Sequence, residues 1–88
     1  MSRQRSIEKI LASKYVTIGE LARLTGLRYS TLKYYTELGI LPYQPTEENL
    51  TRRFDRAASI KRLEEIRFMK DDGSSMQDIC TYYQQKHD

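Results

Sequence analysis

Residues 17–42, TIGELARLTGLRYSTLKYYTELGILP, decide the fold. Thr17 is followed three residues later by Glu20, the spacing of a capping box. In that arrangement each side chain accepts the other residue's backbone N–H at the start of a helix. Ile18, Leu21, Ala22 and Leu24 then recur at helical spacing and form one apolar stripe. Gly26 is placed to end this helix in the left-handed conformation. A second helix begins near Arg28 or Tyr29 and runs to about Leu38, with Gly39 as its stop. Two short helices joined by a tight Gly-containing turn are a helix-turn-helix signature.

The adjacent tyrosines of this second helix separate its faces. Neighbours in sequence do not share a helix face. Tyr35 falls on the inward stripe with Leu32 and Leu38, so core packing accounts for it. Tyr34 faces outward, as do Arg28, Ser30 and Lys33. These outward residues suit duplex DNA. Arg28 and Lys33 reach phosphates or guanine edges. Tyr29 and Tyr34 donate to phosphate oxygens or stack on sugars, and Ser30 is short enough to let the helix sit deep.

Downstream, Ile40-Leu41-Pro42 leaves the helix as an extended apolar segment. The polar stretch YQPTEENLTRRFD, 43–55, reads as two extended arms around a Glu48-Asn49 turn. That is a wing, with Arg52 and Arg53 expected as two guanidinium forks on its flexible tip. Asp55 caps a following helix with Ile60, Leu63, Ile66 and Met69 on one face, ended by Gly73. Ser75 and Asp78 cap another, with Met76, Ile79, Cys80 and Tyr83 inward. Upstream, Ser6 caps a short helix carrying Ile7, Ile10 and Leu11, and Tyr15-Val16 is a short β-prone pair that can join a sheet as a small strand. The expected fold is therefore mostly α: a winged helix-turn-helix of four or five short helices with a two-stranded wing. It divides into an N-terminal helical extension, 1–14, a DNA-binding domain, 15–84, and a frayed tail, 85–88.

Composition agrees. A chain of 88 residues holds one domain. Its net charge of +3 is unevenly spread: residues 1–62 carry 12 Lys/Arg against 6 Asp/Glu, and residues 63–88 carry 3 against 6. Such polarity fits one face made for a polyanion. The single Cys80 excludes an internal disulfide and a cysteine-based zinc site. His87 lacks partners at ligand spacing, and KDDG, 70–73, is a helix end with a turn rather than a calcium loop. No nucleophile–base pair, carboxylate dyad or Gly-rich phosphate loop is present, so an enzyme and a cofactor are not expected. No apolar run approaches the roughly 20 residues of a membrane span, and the N-terminus has no signal-type apolar region. A cytoplasmic protein of bacterial nucleoid or plasmid is expected.

The stretch 17–42 is similar to the opening of MerR-family DNA-binding domains, and the similarity continues from the RRF of 52–54 through helices that end near Tyr83. The resemblance implies a recognition helix in the major groove and a wing on the flanking backbone. The family's Arg-Tyr-Tyr becomes Lys33, Tyr34 and Tyr35, the first two facing DNA and the third buried. The wing arginine falls at Arg52, with Phe54 packed behind it. The candidate DNA-binding residues are Thr17, Arg28, Tyr29, Ser30, Lys33, Tyr34, Arg52 and Arg53.

Three departures stand out. Arg28 replaces the family's usual Ser or Thr cap. Leu50-Thr51-Arg52 replaces the wing's Gly-Tyr-Arg, and Glu47 and Glu48 add negative charge to that wing. The chain also ends a few residues after Tyr83, so no small-molecule effector is expected. That points to stand-alone winged proteins of the BldC or excisionase kind, or to plasmid maintenance and transfer proteins. The expected function is sequence-specific binding of double-stranded DNA in several copies, as a homodimer on inverted repeats or a head-to-tail oligomer on direct repeats. The role would be transcriptional control or an accessory part in excision, partition or transfer. The alternative is a winged-helix adaptor without strong DNA affinity, anchored to a protein partner through Tyr29, Tyr34 and Tyr82.

Overall fold

The structure, a computed structural model, describes residues 6–45 and 52–85. Its elements run α1 (Ile7–Ala12), β1 (Tyr15–Val16), α2 (Ile18–Thr25), α3 (Tyr29–Glu37), β2 (Gln44–Pro45), β3 (Arg52–Asp55), α4 (Arg56–Asp71) and α5 (Met76–Gln85). This is the expected mostly helical, winged helix-turn-helix architecture. The Glu48-Asn49 turn, the Glu47-Glu48 pair, Leu50 and Thr51 of the wing, residues 1–5 of the N-terminal extension and residues 86–88 of the tail lie outside the described residues. Helix α5 runs through Gln85, one residue into the segment expected as tail.

Helix starts follow the sequence closely. Thr17 Oγ1 accepts the Glu20 N–H at 3.1 Å while Glu20 Oε1 accepts the Thr17 N–H at 2.9 Å. Ser75 and Asp78 make the same reciprocal pair at 3.1 and 3.2 Å. Asp55 Oδ1 accepts from the Ala58 N–H, and Ser6 Oγ from the Lys9 N–H. Each such cap satisfies a backbone donor that the helix itself leaves unpaired. Between α2 and α3, Gly26 takes φ +75, where a side chain would be strained, and its N–H closes on the Ala22 carbonyl.

The wing gains a third strand. β3 lies between β1 and β2, antiparallel to both, with Val16 opposite Phe54 and Gln44 opposite Arg53. Phe54 is fully buried on this central strand. Around it the core draws Ile10 from α1, Val16 from β1, Leu21 from α2, Leu32 and Tyr35 from α3, Leu63 and Ile66 from α4, and Ile79 and Tyr83 from α5. Ile40 and Leu41, on the exit from α3, are buried too. Within α1 only Ile10 is buried. Ile7 and Leu11 flank it on the same face and remain exposed, so the body covers little of this short helix.

Arg62 joins three parts of the molecule. Its Nη1 donates to the Ile40 carbonyl at 2.6 Å, and its guanidinium lies 3.9 Å from the Tyr83 ring centroid. Glu65, one turn further along α4, accepts the Tyr83 hydroxyl at 2.8 Å and stands 3.8 Å from Arg62 Nε. Burial, the bond to Glu65 and the charge of Glu65 hold the Tyr83 phenol well above its ordinary pKa. Neutral tyrosine is thus the favoured form. Its stabilising bond is fully present below the ordinary tyrosine range and is lost only as pH climbs through the raised value. Arg62→Ala is expected to cost about 2 kcal/mol, because it strips a carbonyl partner and a cation–π contact together. Urea denaturation of the variant checks this, read as a lower midpoint at unchanged slope.

Candidate nucleic-acid interface

Helix α3 presents its two faces differently. Leu32 and Tyr35 are buried, while Arg28, Tyr29, Ser30, Lys33 and Tyr34 are exposed. The two adjacent rings diverge, with centroids 6.2 Å apart and Tyr34 48% exposed against 6% for Tyr35. Ser30, Lys33, Tyr34 and Glu37 recur at the spacing of a single face. That face is not uniformly basic: Arg28 precedes its N-terminal end, and Glu37 closes its C-terminal end. An anion is therefore best received at the N-terminal end of α3, where the helix dipole has the same positive sign.

Arg28 occupies the N-cap with extended φ and ψ but makes no side-chain cap hydrogen bond. Guanidinium has donors and no acceptor, so it cannot close a backbone N–H. Arg28→Ser is therefore expected to raise stability by about 1 kcal/mol while lowering affinity for duplex DNA. Thermal melts and DNA titrations of the same sample check both signs.

Thr17 is half-buried and already engaged as the α2 cap, which leaves its hydroxyl proton as the donor for any further contact. In the wing, Arg52 and Arg53 depart from expectation. They occupy the start of β3, paired with Pro45 and Gln44, rather than a flexible tip. Strand alternation then sends them to opposite faces. Arg53 is exposed, whereas Arg52 shares the Phe54 face and is half-buried. Residue spacing does not fix where strand pairing begins, and that register decides whether these arginines lie on the strand or on the tip.

Tyr43 is the residue that sequence reading missed. It follows Pro42 in a polar stretch, with no periodic partner to mark it. Its ring packs 5.9 Å from Phe54 and carries the Arg52 guanidinium at 4.8 Å from the ring centroid.

Among the described residues no group of three or more His, Cys, Asp or Glu is arranged to hold a metal ion. No described helix is long and apolar enough to cross a membrane.

Residues 16–86 match the family described as MerR HTH family regulatory protein. The chain belongs to that family. It is 41% identical over 64 residues to an HTH-type transcriptional activator SoxR homolog of Chromobacterium violaceum, covering 73% of this chain and 42% of that protein. It is 39% identical over 62 residues to nodulation protein NolA of a Bradyrhizobium species, covering 70% of this chain and 26% of that protein. To the uncharacterized HTH-type transcriptional regulator YyaN of Bacillus subtilis it is 33% identical over 63 residues, covering 72% and 45%. The chain thus spans less than half the length of these relatives. No solved structure gives a significant match.

Proposed function

We propose that this chain is a double-stranded DNA-binding regulatory module, with α3 in the major groove and the β2–β3 wing on the flanking backbone. One observation carries the reading: α3 buries Leu32 and Tyr35 and leaves Arg28, Tyr29, Ser30, Lys33 and Tyr34 outside the fold. Arg28 and Lys33 neutralise phosphates at the N-terminal end of the helix. Ser30 brings the backbone close to the base edges, and Tyr34 packs against sugar and phosphate. Arg52 and Arg53 add backbone contacts from the wing.

Transcriptional control is the role this reading favours, since two relatives carry a transcriptional activator or regulator in their names. A domain of this size reads few base pairs, so useful specificity calls for several copies on repeated half-sites. Homodimers on inverted repeats and head-to-tail arrays on direct repeats both meet that need. Selection of bound genomic fragments, read for repeat orientation, separates them.

The direct test is titration of a fluorescein-labelled duplex over a range of salt concentrations. Four phosphate contacts, from Arg28, Lys33, Arg52 and Arg53, give a slope of log affinity against log salt of about −3 to −4. Binding that stays undetectable at low salt would remove the reading and favour a protein-binding winged helix.

A further inference from the structure

We propose that Tyr43 is a positioning residue for the wing: it forms the platform that holds the Arg52 guanidinium ready for a DNA phosphate. The proposal rests on the DNA-binding reading above and adds a part to it.

Three observations carry it. First, the contacts form a continuous column. Phe54 is fully buried in the central strand, Tyr43 packs on Phe54 at a tilt of 45°, and the Arg52 guanidinium sits over Tyr43. The buried end of the column fixes the ring, and the ring fixes the charge. Second, the ring is not itself part of the core. Tyr43 is 40% exposed, so much of it is spent on something other than sealing the interior. Third, the two wing arginines differ. Arg53 leaves the opposite face of β3 and is exposed, with no such platform described.

The chemistry gives the platform a purpose. A guanidinium held over an aromatic face meets the ring through its π surface and leaves the N–H donors at its edge free for another partner. Those are the donors that grip a phosphate with two parallel hydrogen bonds. Stacking also removes rotamer freedom before DNA arrives, so less entropy is lost on binding. A long arginine side chain at the edge of a small sheet would otherwise sample many positions. Tyr43 therefore raises affinity without adding a charge, and acts through Arg52.

A four-variant comparison tests this, using a fluorescein-labelled mixed-sequence duplex and the whole chain. Tyr43→Leu is expected to weaken binding about fivefold while leaving the salt slope unchanged, because Arg52 still reaches its phosphate. Tyr43→Phe, which keeps the ring, is expected to bind like the original protein. Arg52→Ala should weaken binding and also reduce the salt slope by about one. Combining Tyr43→Leu with Arg52→Ala should weaken it no further than Arg52→Ala alone. Circular dichroism confirms that each variant is folded at the temperature used.

A Tyr43→Leu protein that binds normally would overturn the proposal, as would a loss that adds in full to that of Arg52→Ala. Lys33→Ala separates the two levels of failure. If Lys33→Ala weakens binding and Tyr43→Leu does not, the platform falls and the DNA reading stands. If the original protein does not bind the duplex at all, both fall.

Discussion

Phe54→Ala is expected to lower the unfolding free energy by about 3–5 kcal/mol. Phe54 is fully buried and lies on the central strand of three. It stands opposite Val16 of β1, and its ring supports Tyr43 of the wing. Truncation leaves a void beside backbone that is held in place. Val16 is fixed by strand pairing, and the start of α4 is tied back to the residues before β1. There the Arg56 N–H donates to the Lys14 carbonyl at 2.8 Å and Arg56 Nε to the Ser13 carbonyl at 2.9 Å. A domain of this length has a total stability of roughly 4–13 kcal/mol, so the loss is a large fraction of the whole. A thermal midpoint lowered by at least about 12 °C is the expected reading. A fall of under about 4 °C would show that the sheet does not hold the wing to the body as described.

The second large effect concerns binding and leaves stability alone. Lys33→Ala is expected to weaken duplex binding about tenfold and to reduce the salt slope by about one. Lys33 is exposed on the face shared by Ser30 and Tyr34, and no ion pair or hydrogen bond of its side chain is seen among the described residues. Its removal should therefore change the unfolding free energy by less than about 0.5 kcal/mol. The pair of measurements matters more than either alone. Lost binding with an unchanged melt assigns Lys33 to the interface. Lost binding with a lowered melt would assign it to the fold, against its exposure.

Much of this was legible in local chemistry. The Thr17–Glu20 box and the Gly26 turn are short-range devices, complete within a few residues, so the sequence carries them whole. The same holds for the Asp55 and Ser75 caps. The division of Tyr34 from Tyr35 followed from helix geometry alone. What escaped is non-local. Arg62 reads as one more cation on an amphipathic helix, and nothing near it in sequence announces the Ile40 carbonyl or the Tyr83 ring. The column of Phe54, Tyr43 and Arg52 depends on strand register, which two-residue strands hardly encode. The exposure of Ile7 and Leu11 likewise depends on how little of α1 the body covers, which periodicity does not measure.

The central claim is that the outer strip of α3 is the surface that meets DNA. Nitrogen–proton correlation spectra of the isotope-labelled protein, recorded as duplex is added, test it residue by residue. The largest shifts are predicted at Tyr29, Ser30, Lys33 and Tyr34 of α3 and at Arg53 of the wing, with Ile79 and Tyr83 of α5 little changed. Shifts concentrated in α4 and α5, with α3 silent, would contradict it.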